Sequence, residues 1–524
     1  MRIWIASIGL GLGLLFAPGC AVNPVTGERE LAFIGEGQEI AMGTQAYQPT
    51  KQAQGGPYQT MPALTRYVSE VGQKIVAVSD RPELPYEFEV LNNPVPNAWA
   101  LPGGKIAINR GLLTVLDNEA ELAAVLAHEV VHAAARHGAQ RVERAQVGGA
   151  LATVGLVGLG AALEDSENRD MLMGLAHTSA GLGLTLITQR YSRDAEFEAD
   201  RYGIEYMAEA GYDPQGSVSL QEKFLALSQG RSSGFFERLF ASHPPSADRV
   251  AANKDMAAQY PAGGHLGREA YQKAIEPLKE AQPAYEEYQQ GVEALQSGRP
   301  ERAIEIARSA QRKLPAEGLF YALESKAQRQ MDLPNDALSS IEMAINRNDR
   351  FFAFHLMRAQ LLEEMGRTDA ARQSYARSQS LLPTAESTAA LGFIALENGD
   401  TQQAVQYLSE ASRYEGTDSA ARARQALARL EIAHQPGRYI QVTPVRDEHG
   451  ELLLRVVNQA PVAIRDIQIE IAVPSLNARR SLTISEALRS GRGTTLKTGI
   501  GSLPEELNLA SAIRGGVRSA SVID

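Results

Sequence analysis

Ala124–His137 reads AVLAHEVVHAAARH, and this stretch decides how the first half of the chain is understood. An apolar helix can bury itself without help, yet this one carries three histidines and a glutamate. Asn118 and Glu121, spaced as a capping box, start the helix near Asn118, and the apolar pattern carries it through His137. His128 and His132 are then i and i+4, one above the other on a single face. Two imidazoles at that spacing reach one Zn²⁺, and Glu129 stands beside the open position of the metal rather than on it. His137, five positions past His132, is rotated off that face and reads as a structural or surface histidine.

His-Glu-x-x-His on a helix is a metallopeptidase signature. A catalytic zinc takes three protein ligands and leaves the fourth place for water. No histidine follows at the short metzincin spacing and no glutamate at the thermolysin distance, so the third ligand is sought in YSRDAEFEADRYG, Tyr191–Gly203. Glu196, Glu198 and Asp200 share one polar turn there, with Glu196 and Asp200 at i and i+4. One carboxylate can bind metal while another holds a ligand histidine from behind.

Outward from this motif the chain divides. At 524 residues it is too long for one core and calls for three or four domains. Its 51 basic and 62 acidic residues leave a net charge of -11, which argues against a nucleic-acid partner because phosphate binding needs a basic surface. Residues 1–20 read as a secretory signal: one arginine, an apolar run from Ile3 to Phe16, then small residues leading to Cys20. Cys20 is the only cysteine, which excludes an internal disulfide. The segment resembles a bacterial lipoprotein signal, which implies a lipid anchor at Cys20, and Ala21 in place of an aspartate favours the outer membrane.

Residues 21–265 mix helical runs with extended pieces such as YEFEVLNN and KIAINRG and predict an α+β, mainly helical domain, which its HEVVH signature marks as a zincin-like peptidase. A polar linker helix is expected over 266–283. Over 284–430 a pattern recurs: GRPERA at Gly298, DLPNDA at Asp332, GRTDAA at Gly366 and GDTQQA at Gly399, with Ala303, Ala337, Ala371 and Ala404 spaced 34, 34 and 33. Seven residues past each alanine stands another small residue: Ala310, Ala344, Ser378, Ala411. The period resembles the tetratricopeptide repeat and predicts an all-α solenoid of about four helix pairs. Over 436–524 the apolar period shortens to that of strands in RYIQVTPV, ELLLRVVN and IRDIQIEIAV, giving a small C-terminal β-sandwich with no catalytic cluster.

HEVVH with SRDAEFEAD, preceded by NAWALPGGKIAINRGLL at Asn97–Leu113, resembles the zinc peptidase family that includes the CAAX prenyl proteases and the membrane heat-shock proteases. The opening GCAVNPVTGERE and the repeats resemble its periplasmic branch. The resemblance covers about residues 20–255. It implies one Zn²⁺ held by His128, His132 and Glu196, with Glu129 as the base that takes a proton from the attacking water and returns it to the leaving amine. It places Asp200 behind a ligand histidine and His243, in SHPPSADR, near the zinc, either as a resting ligand or as an oxyanion donor. Glu198 and Asp194 receive no role from it and read as solvated charges. NAWALPGG resembles the family's active-site edge strand, on which a substrate lies as an added strand.

The uncharged run Ala145–Leu163 and the weakly polar run Met171–Ile187 lie where the family places a helical hairpin, and they predict a packed or membrane-surface hairpin rather than spanning helices. A complete site joined to a binding solenoid predicts a periplasmic endopeptidase, anchored to the outer membrane, acting on unfolded or misassembled envelope proteins. The repeats would bind substrate or the outer-membrane assembly machinery. The other expectation is an assembly adaptor or chaperone whose peptidase site is restrained.

Overall fold

A computed structural model describes residues 19–147, 179–230, 236–261, 263–414, 416–501, 503, 504 and 506–523. Most of the expected signal and residues 148–178 of the expected hairpin lie outside the described residues. No helix among the described residues is long and apolar enough to cross a membrane. The chain forms two compact units, one of described residues up to Glu286 and one from Glu287 onward.

The first unit opens on a hairpin of β1 (Gly19–Val22) and β2 (Arg29–Ala32), paired antiparallel with Val22 opposite Arg29. Asn23 sets its turn, its Oδ1 accepting the Val25 N–H at 2.9 Å and the Thr26 N–H at 3.3 Å. Helices α1 (Glu36–Ala53) and α2 (Pro62–Val76) follow, then β3 (Glu87–Leu91), β4 (Ala98–Leu101) and β5 (Lys105–Asn109). The sheet order is β3-β5-β4, with β3 parallel and β4 antiparallel to β5. This leaves β4 at an edge, as NAWALPGG implied.

After a single turn, α3 (Arg110–Leu113), comes the central helix α4 (Glu119–Ala134). Asn118 Oδ1 accepts the Glu121 N–H at 2.9 Å, satisfying an otherwise orphaned donor of the first turn, while Glu121 Oε2 accepts the N–H of Asp117, just before the cap, at 2.8 Å. Fifteen of its sixteen residues are buried, because apolar residues surround it on all sides. It does not continue through His137. Arg136 takes a left-handed conformation, φ 61°, held by its Nε donating to Glu39 Oε2 at 3.1 Å and its Nη2 donating to the Ile34 carbonyl. A new helix, α5 (His137–Val147), starts there.

The unit is completed by α6 (Ser179–Thr188), α7 (Arg193–Glu209), α8 (Gln215–Gln229), α9 (Glu237–Ser242) and α10 (Ala247–Ala257). Helices α2, α7 and α8 pack on α4, and β4 runs against it. Gly203 sets the approach of α7: a Cβ there would stand 3.4 Å from the His128 amide nitrogen, so a side chain larger than a methyl would push the helices apart. Helix α11 (Arg268–Gln296) runs unbroken through the expected linker and on past residue 284, with Pro277 and Pro283 inside it.

The second unit continues as α12 (Pro300–Lys313), α13 (Gly318–Gln330), α14 (Pro334–Arg347), α15 (Phe352–Glu364), α16 (Thr368–Leu381), α17 (Ala385–Glu397), α18 (Thr401–Ala411) and α19 (Asp418–Glu431). All eight small residues of the repeat pattern, from Ala303 to Ala411, are wholly buried between helices. The Gly/Asp that opens each pattern also has a physical reason. Gly298, Asp332, Gly366 and Gly399 all take positive φ, between 58° and 77°, where a helix closes and the next begins.

The remaining chain forms two three-stranded antiparallel sheets. One has the order β10 (Gly493–Lys497), β7 (Leu452–Asn458), β6 (Ile440–Arg446), and the other β11 (Arg514–Val522), β8 (Ile464–Val473), β9 (Ala478–Ile484). They share one core through Leu452, Leu454, Val456, Ile467, Ile469 and Ile471, the alternate residues of the two central strands.

Candidate metal centre

His128 and His132, one turn apart on α4, bring their Nε2 atoms to 3.1 Å. Helix α7, whose first turn is capped by the Ser192 hydroxyl accepting the Ala195 N–H at 3.2 Å, presents Glu196. Its Oε1 lies 3.4 Å from His132 Nε2 and its Oε2 3.7 Å from His128 Nε2. His243 ends α9 and points its Nδ1 inward, 3.3 Å from His128 Nε2 and 3.0 Å from Glu196 Oε1. One donor atom from each of the four lies within 4.8 Å of every other.

This donor set fits a zinc ion. Ring nitrogens facing one another this closely need a shared proton or cation between their lone pairs. Ligand atoms about 2.0–2.1 Å from a tetrahedral centre stand about 3.3–3.4 Å apart, and the distances above scatter around that edge. His132, Glu129 and Glu196 are each 2% exposed and His243 8%, so the cluster is shielded from competing water.

The surroundings set the charges. Asp200, one turn after Glu196, meets His128 Nδ1 at 3.0 Å through its Oδ1. Arg249 of α10 clamps Asp200, with Nε donating to Oδ2 and Nη2 to Oδ1, both at 2.7 Å, and its Nη1 stands 2.8 Å from Glu196 Oε2. Burial works against ionisation of Asp200, but Arg249 and His128 outweigh it and hold the carboxyl below its usual range. Glu196 is held well below that range against the same burial by His243 and His132. Burial drives His132 well below its ordinary value. Burial would lower His243 too, but Glu196 and Glu129 pull it upward. Glu129 is pushed up by burial. It accepts the Ala100 N–H of β4, stands 3.6 Å from His243 Nε2 through its Oε1, and its buried Oε2 has no hydrogen-bond partner.

The model of peptidase family M48 matches residues 62–257, a span that holds every residue of the cluster. The beta-barrel assembly-enhancing protease of Escherichia coli (strain K12) is 30% identical over 256 residues, covering 49% of this chain and 51% of that protein. The mitochondrial metalloendopeptidase OMA1 of Schizosaccharomyces pombe is 32% identical over 253 residues, covering 47% of this chain and 69% of that one. The chain belongs to peptidase family M48. It spans about half the length of the bacterial relatives it matches. Among solved structures, a thermophilic TPR protein of Thermus thermophilus is 24% identical over 31% of this chain and 92% of its own, at a TM-score of 0.25. The repeat assignment stands on the period and the helix pairs, not on that match.

The cluster brings together His128, Glu129, His132, Glu196, Asp200 and His243, and it sharpens one sequence reading and corrects another. His137 stays off the ligand face, as its spacing predicts, but it is a buried structural histidine and not a surface one. Because α4 ends early and the chain turns at Arg136, its Nδ1 meets His132 Nδ1 at 2.8 Å. Glu198 is not a solvated charge but lies 3.3 Å from His137 Nε2 through its Oε1, whereas Asp194 is exposed. Arg249 went unassigned, although it closes the SHPPSADR segment that contains His243. Tyr191, stacked on the His132 ring at 3.8 Å between centroids and 13° between planes, carried no signal in sequence.

Proposed function

We propose that this chain is a zinc endopeptidase of the bacterial periplasm. Tethered to the outer membrane through Cys20, it cleaves misfolded or stalled envelope proteins that its repeats help to bind. The observation that carries this reading is the convergence of His128, His132, Glu196 and His243 on one buried point beside a partnerless Glu129 oxygen. When bound, zinc supplies Lewis acidity that brings the pKa of water down to about 7.

His128, His132 and Glu196 hold the ion. Asp200, locked by Arg249, accepts from His128 Nδ1 and so keeps its Nε2 turned inward. Glu129 takes a proton at its free Oε2 and later gives it to the leaving amine. The Ala100 N–H keeps that carboxylate aimed. An extended peptide joined to the open edge of β4 by main-chain hydrogen bonds passes the same residues, which selects for unfolded chains. Full-length zinc-loaded chain should cleave casein and an unfolded outer-membrane protein, and Glu129→Gln should lower the rate by about 10²–10⁴-fold while still binding zinc. Equal cleavage by the two proteins would end this mechanism.

The burial of His243 among the ligands favours a second reading, an assembly adaptor with a restrained site. If His243 restrains the site, His243→Ala should raise basal cleavage of casein. A fall to near background would instead give His243 a part in stabilising the transition state.

A further inference from the structure

The two histidines of α4 are supported from behind in different ways. His128 meets a carboxylate directly, Asp200, whereas His132 meets another imidazole. We propose that His137 and Glu198 are positioning residues that hold His132 in its metal-binding tautomer and tie it to Asn23 at the turn of the N-terminal hairpin. This rests on the zinc reading above.

The direction of each hydrogen bond follows from the first. His132 turns Nε2 to the centre, 3.1 Å from His128 Nε2 and 3.4 Å from Glu196 Oε1. A ring nitrogen that gives its lone pair to a cation leaves the other nitrogen as N–H. That nitrogen, Nδ1, faces His137 Nδ1 at 2.8 Å, so His137 must accept there and carry its own hydrogen on Nε2. His137 Nε2 in turn faces Glu198 Oε1 at 3.3 Å, and an ionised carboxylate only accepts. All three groups therefore agree on one arrangement, donating outward from His132 to Glu198.

Glu198 is itself held. Asn23 Nδ2 donates to Glu198 Oε1 at 3.2 Å and to Glu30 Oε1 at 3.1 Å, and the amide orientation follows from Asn23 Oδ1 accepting the Val25 and Thr26 N–H groups. Helix α5, which carries His137, also grips the chain just past the hairpin, where Glu143 Oε1 accepts the Phe33 N–H at 2.8 Å and the Ile34 N–H at 2.7 Å. The left-handed Arg136 is what makes the relay possible, since in an uninterrupted helix His137 would face away from His132.

The test is zinc affinity of the full-length chain, stripped of metal and titrated against a competing chelator, beside the ring-nitrogen NMR signals of ¹⁵N-labelled histidines. His137→Ala and Glu198→Ala should each weaken zinc binding about 10–100-fold, the range for residues that orient metal ligands. His137→Asn, which restores an acceptor facing His132 Nδ1, should recover part of the loss, a rescue that space-filling alone does not give. Asn23→Ala should produce a smaller loss in the same direction. In the zinc-loaded wild type His137 should report hydrogen on Nε2 alone.

Unchanged zinc affinity in both alanine variants, or hydrogen on His137 Nδ1, overturns the relay. If His137→Ala does not fold by circular dichroism, Glu198→Leu decides: it removes the acceptor at a side chain 19% exposed, and unchanged affinity there overturns the proposal as well. A wild-type chain that binds no zinc, or a His128→Ala chain that binds it equally well, overturns the zinc reading itself. These two failures are therefore separable.

Discussion

The surroundings of His128 and the helix pairs of the repeats are both nearly sealed from water, but what they bury differs. Around His128 the buried groups are charged or ionisable, and their partners come from far along the chain: Asp200 is 72 residues from His128, and Arg249 another 49. In the repeats the residues that recur at the helix contacts, Ala303 through Ala411, are seven alanines and a serine, and each packs against helices of its own or a neighbouring repeat. The first arrangement is interdependent, since removing one member strands the rest unpaired in low dielectric. The second is a sum of neighbours, so an error stays local.

The largest expected effect tests the interdependence. Arg249→Met leaves Asp200 and Glu196 buried without their cation and should cost about 3–5 kcal/mol of unfolding free energy by chemical denaturation. A loss below about 1 kcal/mol would mean that the site tolerates an unpaired charge and that the contrast is wrong.

Next comes the repeat core. Ala371→Leu forces three extra carbons between α15 and α16 and should cost about 1–3 kcal/mol, read as faster amide exchange in α15, α16 and α17 with zinc affinity unchanged. A change in zinc affinity would show that the repeats do not contain their own errors.

The smallest effect concerns pH. Burial lowers the pKa of His355, and its Nε2 lies 2.9 Å from the Asp349 carbonyl, which it meets as a donor in the neutral ring. The unfolded histidine, with a pKa of about 6.5, binds its proton more readily than the folded one, so this contribution is complete above that value and declines as pH falls from there toward the folded pKa. Protection of α15 amides, corrected for intrinsic exchange, should fall over that window, and His355→Gln should flatten the response.

Legibility followed the same division. The repeats could be read almost residue by residue, because a helix pair of fixed length puts its small residues and its left-handed closing residue at fixed offsets; Ala303 through Ala411 and Gly298 through Gly399 needed no distant information. The HEVVH pair was legible for a similar reason, since i and i+4 share a helix face in any context. Reading His137 got no further than a structural or surface role because it assumed the helix continued. Nothing local to Arg136 announces a left-handed turn, which depends on Glu39 and the Ile34 carbonyl, both about a hundred residues earlier. Glu198 was misread for the same cause, as its partners are His137 and Asn23 rather than solvent.

By itself, then, the sequence determined the helix that carries His128, Glu129 and His132, the period of the solenoid, the strand composition of the last ninety or so residues and the candidate carboxylates of α7. These are properties of local geometry, set by 3.6-residue and two-residue periods and by the few residues that tolerate positive φ. Only the tertiary structure decided which carboxylate faces the histidines, that Arg249 neutralises two of them, that His243 closes the cluster, and that His132 is backed by His137 and Glu198. Those depend on which distant segments share one buried volume, where every charge must find its partner from whatever the fold brings near.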